Sequence, residues 1–316
     1  MAEKTKNKKI GLRKSLPFYC IMLAWPVLQF CVFYIGVNFN SILLAFKSYD
    51  ALDPLHKAYS FGFDNFAIWF DRTDMDYGMQ FFPALGVSFK AYLISLFVGV
   101  PLGLFFSYYI FKKLPGATFF RVVLFLPTIV SGVVLVSIYK KFMNDAVCEI
   151  LAGWGLYTRS LEGALWMTKS SAFATVMIFN VFISFGTSVL MYSNKMATIS
   201  PEIIESAQLD GAGAFKEFFH VVLPMAFSTV SVFLITGIAG IFTNQLNAHA
   251  FYVSGDKVLT EVQSVGYILY YKTRKAGQMS WQYGPIAALG VMLTAIVIPL
   301  TFGARYLFNR FGPSED

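Results

Sequence analysis

The residues best placed for chemistry lie at positions 205–224, in the segment ESAQLDGAGAFKEFFHVVLP. Two carboxylates, Glu205 and Asp210, stand beside the small residues Ser206, Ala207, Gly211, Ala212 and Gly213. That mixture suits contact with another protein rather than bond-making, because small side chains let a second backbone approach closely. Ser200 followed by Pro201 forms a helix start: a serine hydroxyl can cap free amides, and proline fits the first helical position. Glu202 then sits near the positive helix end. The helix runs through Glu205 and Ala207 to Asp210, where Gly211 can take the left-handed conformation that ends it. Ile203, Ile204 and Leu209 are its apolar knobs. A second helix begins near Ala214, with Pro224 disturbing it.

What must position this segment is an apolar bundle. The 316-residue chain is 56% apolar and 14% charged, with a mean hydropathy of +0.59, whereas a soluble domain is about 45–50% apolar and about 25% charged. The chain reads as an all-α integral membrane protein. A helix needs about 20 apolar residues to cross a bilayer core, and six runs qualify: 17–39, 91–111, 122–139, 171–192, 221–242 and 285–308. Six transmembrane helices put both termini on one side. Lys4, Lys6, Lys8, Lys9, Arg13 and Lys14 crowd the N-terminus against Glu3, so the positive-inside rule places the N and C termini in the cytoplasm. The first run is too long, and too poor in a small-residue cleavage site, for a removed signal peptide, and is expected as a retained helix. The expected organisation is a tail, first helix and outer loop over 1–82, a five-helix membrane domain over 83–308 containing the loop 200–224, and a tail over 309–316.

The net charge of +7 is scattered along membrane edges rather than gathered with aromatics, so no nucleic-acid partner is expected. Cys20, Cys31 and Cys148 have no ligand spacing, and neither a metal nor a disulfide is assigned. Outer loops are expected over 47–90, 140–170 and 243–284. The first of these, with Asp64, Asn65, Trp69, Asp71, Asp74, Asp76 and Tyr77, reads as a folded cap or as a solvated connection. Lys90 precedes the charge-free run at Ala91 and is expected to snorkel to the outer interface. Gly99, Pro101, Pro127, Gly132, Gly186, Pro224, Gly237, Gly240 and Pro299 interrupt the spans, which suits a moving bundle or close helix packing.

A polar solute inside a membrane needs hydrogen-bonding partners there. Two clusters offer them, 180–187 in the fourth run and 236–247 toward the outer half of the fifth, with Asn180, Phe182, Ser184, Phe185, Thr187, Thr243, Asn244 and Asn247 as the candidates. Such residues line a path or bond one helix to another. No run contains Asp or Glu, and His56, His220 and His249 form no chain of ionisable groups. This argues against a proton-coupled carrier.

Segment 205–224 resembles the EAA loop of binding-protein-dependent ABC importers, whose pattern is E-A-A, two residues, D-G-A, five residues, F, then I-x-L-P. Glu205, Ala207, Asp210, Gly211, Ala212, Phe218, Leu223 and Pro224 fall at that spacing, with Ser206 replacing Ala and Val221 replacing Ile. Residues 120–144, FRVVLFLPTIVSGVVLVSIYKKFMN, are similar to the third span of carbohydrate-importer permeases of the maltose and sn-glycerol-phosphate type, and 283–300 resemble their last span. The resemblance implies that Pro201, Ile203, Ile204, Glu205, Ser206, Ala207, Leu209, Asp210, Gly211 and Ala212 form a cytoplasmic coupling helix seated on a cytoplasmic ABC ATPase dimer. It also implies a second homologous permease subunit, an extracytoplasmic solute-binding protein, and a multi-pass place in the bilayer of a bacterial inner membrane. The implied function is the permease subunit of an ATP-driven importer that moves a carbohydrate by alternating access.

No catalytic residue and no cofactor are expected in this chain, ATP and Mg belonging to the partner ATPase. The chain has no Gly-Lys dipeptide, which the phosphate loop requires. One departure bears on the cargo. Sugar permeases of this type follow the fifth span with L-T-G-G-G-P, whereas residues 241–260 read IFTNQLNAHAFYVSGDKVLT. An ABC permease for a modified peptide, polyamine or phosphate compound is therefore the alternative, and a stand-alone carrier or channel a third reading.

Overall fold

A computed structural model describes residues 17–49, 59–155, 164–252, 258–277 and 282–313. The basic N-terminal residues and His56 lie outside the described residues. The chain divides into two units, Met1–Ile68 with Ala276–Val291, and Trp69–Lys275 with Met292–Asp316.

In the first unit, helix α1 (Pro17–Ala45) is 29 residues long, with a widened π turn over Phe30–Gly36. Residues 17–43 are exposed around the whole circumference, as expected of an apolar helix whose solvent is lipid. Its internal polar groups are turned inward: Asn38 donates to the Tyr34 carbonyl and Ser41 to that of Val37. Beyond α1 the first outer segment is folded, not merely solvated. Strand β1 (Lys47–Tyr49) pairs antiparallel with β2 (Tyr59–Phe61), Ser48 opposite Ser60, and a short helix α2 (Asp64–Ala67) follows. The buried Asn65 amide donates to the carbonyls of Ala45 (3.0 Å) and Lys47 (2.7 Å), closing the end of α1.

The second unit holds α3 (Gly78–Phe111), α4 (Ala117–Ile129), α5 (Gly132–Gly153), α6 (Ala172–Met196), α7 (Pro201–Leu209), α8 (Ala214–Met225), α9 (Phe227–Thr243), α10 (Ala248–Phe251) and α11 (Val265–Ala276). Helix α12 (Tyr283–Phe311) has residues in both units. Among the described residues four helices are each long and apolar enough to cross a membrane, or up to six spans if each bent pair counts as one.

Three expectations change here. The second span begins at Gly78, not Ala91, because Phe81, Ala84, Val87, Ser88 and Ala91 form a buried stripe at helical spacing. Lys90 is therefore an exposed residue within a helix rather than at a loop end. The third run is not straight: α4 and α5 meet at 111°, where Val130 and Ser131 adopt extended backbone (ψ 143° and 132°). Helix α5 then continues into the expected outer loop, since Met143 and Cys148 are buried in the core beside Val136, Val176 and Phe179. The fifth run starts early, at Ala214, and bends by 71° between α8 and α9. Pro224 lacks the amide proton that would bond the His220 carbonyl, and two residues later Ala226, at φ −91° and ψ −1°, is the turn residue between the two helices.

Small residues set the closest approaches. Gly103 of α3 faces the Tyr192 ring of α6, where an added Cβ would stand 3.4 Å from it. Beside it the fully buried Ser107 hydroxyl lies 2.6 Å from the Gly103 carbonyl and 3.0 Å from that of Val189. At Gly186 of α6 a Cβ would overlap the Leu124 carbonyl oxygen of α4. Such small-residue contacts let membrane helices pack backbone to backbone.

Candidate functional site

The segment 200–224 folds as helix α7, a tight turn and helix α8. Pro201 opens α7 as expected, but Ser200 (φ −60°, ψ 132°) makes no side-chain cap bond, so its extended backbone and the proline ring alone set the helix start. The C-terminus is a Schellman turn: the Gly211 amide donates to the Gln208 carbonyl and the Ala212 amide to that of Ala207, both at 3.0 Å. Gly211 has φ +77°, and a Cβ there would meet nothing within 4 Å. The glycine serves the turn, and the space beyond it is open.

Of the apolar knobs on α7, Ile203 and Leu209 are exposed, Leu209 by 89%. Ile204 instead packs inward, in a core with Tyr192, Met196, Ile199, Phe218 and Val222. Pro201, Glu205, Ser206, Asp210 and Gly211 are exposed, and Ala207 and Ala212 are half-buried. The outward face of α7 is thus a mixed apolar and acidic surface on a helix seated by one isoleucine.

Beneath it lies a residue that sequence reasoning missed. The Glu217 carboxylate on α8 is 2% exposed. Lys112, capping α3, donates to both of its oxygens (2.9 and 3.0 Å), Tyr108 of α3 donates to Oε1 (3.0 Å), and Gln208 of α7 to Oε2 (3.0 Å). A Phe-Lys-Glu-Phe-Phe string at a helix start gave no sign that its glutamate would turn inward.

The second part of the site is a cavity of about 530 Å³ bounded by α3, α6, α9 and the turn after α9. Asn180, Ser184, Phe185, Thr187, Asn244 and Asn247 line it. Phe182 and Thr243 do not: Phe182 is 52% exposed on another face, and the exposed Thr243 hydroxyl returns to the Ala239 carbonyl. Tyr92, Ser95 and Ser188 are lining residues outside the two expected clusters, and Thr236, at the start of the second cluster, lines it too. Ser95 belongs to a π turn, Ser95–Gly99, in the middle of α3, and such turns are frequent at functional sites.

One wall of the cavity is held in a strained conformation. Leu246 and Asn247 both have left-handed backbone, φ 52° and 53°, which is uncommon outside glycine. Three asparagines hold them. Asn244 Oδ1 accepts from the Leu246 amide, Asn180 Nδ2 donates to the carbonyls of Leu246 and Val176, and Asn247 Nδ2 donates to Asn180 Oδ1, each at 2.8 Å. Ser264 adds a tie, its hydroxyl donating to the Asn244 carbonyl at 2.7 Å.

No residue lining the cavity is charged. The hydroxyls of Ser184, Ser188 and Thr236 donate to carbonyls of their own helices, so their lone pairs are what remain for a solute. The wall thus presents acceptors beside the hydroxyls of Tyr92, Ser95 and Thr187, which can donate or accept, among aromatic and aliphatic groups. It can take up a neutral solute rich in hydroxyls.

Apolar helices of membrane length around an uncharged polar cavity, with a surface helix and glycine turn between two of them, define a multi-pass membrane permease domain. Residues 99–313 match the family described as binding-protein-dependent transport system inner membrane component, and the chain belongs to that family. It is 28% identical over 268 residues to the galactooligosaccharides transport system permease protein GanP of Bacillus subtilis, an alignment covering 82% of this chain and 62% of that protein. It is 24% identical to the multiple sugar-binding transport system permease protein MsmF of Streptococcus mutans, over 90% of this chain and 94% of that one. The chain thus spans somewhat under two thirds of GanP and nearly all of MsmF.

Its fold is that of a chain in the crystal structure of a bacterial ABC transporter involved in the import of the acidic polysaccharide alginate. The TM-score is 0.73 at 18% identity, over 96% of this chain and 99% of that chain. A second structure of an alginate ABC transporter, in complex with an alginate pentasaccharide-bound periplasmic protein, matches with the same score and identity over 95% of this chain.

Proposed function

We propose that this chain is the permease subunit of an ATP-binding cassette importer and forms part of the translocation pathway for a carbohydrate. The observation that carries the reading is the pairing of an uncharged, acceptor-rich cavity with an exposed α7 lever held by a Schellman turn at Gly211. Sugar hydroxyls can both donate to and accept from such a wall, and sugar C–H faces suit Phe185 and Tyr92. Family membership and the names of relatives such as GanP and MsmF support the same cargo class.

In this reading α7 seats on a cytoplasmic ABC ATPase dimer through Glu205, Leu209, Asp210 and the small residues around them. ATP and Mg belong to that partner, and the permease itself makes and breaks no bond. Six crossings with both termini in the cytoplasm follow if the pairs α4–α5 and α8–α9 each form one bent span. A second homologous permease completes the pathway in a bacterial inner membrane, an extracytoplasmic binding protein delivers the solute, and the spans alternate their access as the ATPase closes and reopens. The test is isolation of the complex from native membranes, followed by a ligand screen on the co-purified binding protein. An ATPase and a sugar-binding protein are expected. A co-purified binding protein that takes only peptides, polyamines or phosphate compounds would overturn the cargo, and the absence of any ATPase would overturn the class.

A further inference from the structure

Glu217 presents an arrangement that packing alone does not require. Its neighbours along α8, Phe218 and Val222, are buried apolar residues in the core that also seats Ile204, and an apolar side chain would fill the same space. Buried ion pairs are often no more stabilising than a well-packed hydrophobic replacement, so stability is a weak reason for a carboxylate here. What the carboxylate does that an apolar group could not is fix three elements at defined atoms. Oε2 holds Gln208 in the last turn of α7, Oε1 holds Tyr108 of α3, and both oxygens hold Lys112 at the end of α3. Helix α3 is also the helix that presents Tyr92, Ser95 and Val100 to the cavity.

We infer that Glu217 is a positioning residue of the drive: its carboxylate clamps α7 to the end of α3, so that movement imposed on α7 is delivered to the helix that lines the cavity. The inference rests on the reading of α7 as the coupling helix. Gln208 is the arm on the α7 side, and Lys112 with Tyr108 are the arms on the α3 side. Coupling of this kind needs a contiguous element with two arrangements that both sites bias, and the clamp supplies the contact between them.

The test uses the assembled complex, without Cys20, Cys31 and Cys148 and with Ser95→Cys as a reporter in the cavity. The rate of labelling by a small maleimide is compared with and without ATP. Gln208→Leu cuts only the α7 arm and leaves the Lys112–Glu217 pair in place, while Glu217→Gln keeps the shape and removes the charge. Both variants are expected to retain the ATPase and its hydrolysis, yet to lose about tenfold of the ATP-dependent change in labelling. The reversed pair Lys112→Glu with Glu217→Lys is expected to recover part of what Glu217→Gln loses. A full labelling response in both Gln208→Leu and Glu217→Gln overturns the clamp and leaves the coupling reading standing. A parent complex whose labelling ignores ATP overturns the coupling reading, and the clamp with it.

Discussion

Asn180 and Asn247, 67 positions apart, are joined amide to amide at 2.8 Å, and the bond holds a left-handed turn against the cavity wall. Asn180 accepts that bond through Oδ1 and donates through Nδ2 to the Val176 and Leu246 carbonyls, which makes it a builder of the wall as much as a face of it. Replacing it leaves the Leu246 carbonyl and the Asn247 amide without these partners. Asn180→Leu is expected to destabilise the protein by about 1–3 kcal/mol, read as a lower thermal midpoint in detergent.

Asn247 separates backbone strain from side-chain bonding. Asn247→Ala loses the bond and keeps the left-handed backbone, whereas Asn247→Gly loses the bond and removes the strain. The alanine variant should therefore be less stable than the glycine variant, by about 1 kcal/mol. Equal midpoints for the two would show that the φ of 53° stores nothing.

Gly186 and Gly240 make a matched pair in two spans. A Cβ at Gly186 overlaps the Leu124 carbonyl, whereas one at Gly240 meets nothing within 4 Å. Gly186→Ala must push α4 and α6 apart and is expected to cost about 1–3 kcal/mol or more, with a falling yield of folded protein. Gly240→Ala should leave yield and midpoint unchanged.

At Gly211 the backbone sets the requirement, at φ +77° with open space around it. Asparagine tolerates left-handed backbone better than other side chains, so Gly211→Asn should keep the turn and test bulk alone, while Gly211→Trp adds strain to bulk. The tryptophan variant is expected to insert normally but to retain little ATPase and no uptake, with the asparagine variant between it and the parent. Undiminished ATPase recovery and uptake with Gly211→Trp would remove α7 from the coupling role.

Lys272 of α11 is buried over the Tyr77 ring, with Asp76 at 3.6 Å. Burial pushes its pKa below the usual lysine range, and Asp76 only partly offsets this. Its charge thus costs stability below the folded pKa, and the cost is relieved as pH rises through that value. Between the folded and unfolded pKa the unfolded chain binds more protons, so stability rises with pH there. Lys272→Met should flatten that alkaline rise, measured as thermal midpoints up to about pH 10. An identical pH profile in the variant would assign the rise to another group.

The lever was legible because its determinants are local: Pro201 starts α7, Gly211 ends it, and the intervening residues lie within three turns of helix. Most of the cavity's asparagines, serines and threonines were legible for a similar reason, as polar groups standing out in apolar runs. Glu217 was not, since its partner Lys112 lies 105 positions away and burial arises only when α3, α7 and α8 meet. The bend after α4 was marked only as an interruption, by Pro127 and by Gly132 directly after Ser131, and its sharpness was not, because Val130 has no residue-type preference that sets so large an angle. Helix α3 was read short because Pro83, Gly86 and Lys90 interrupt its first turns, signals that look like a loop until the stripe from Phe81 to Ala91 finds its neighbours.

The absence of charge around the cavity has an electrical meaning. A membrane potential acts on each elementary charge carried across it with about 2.3 kcal/mol per 100 mV. Walls made of amides, hydroxyls and aromatic rings carry no formal charge, so the described lining of the cavity offers the potential nothing to push. Whatever voltage dependence the chain has must come from charges elsewhere on its helices, such as Lys90 of α3 and Lys112 at its end.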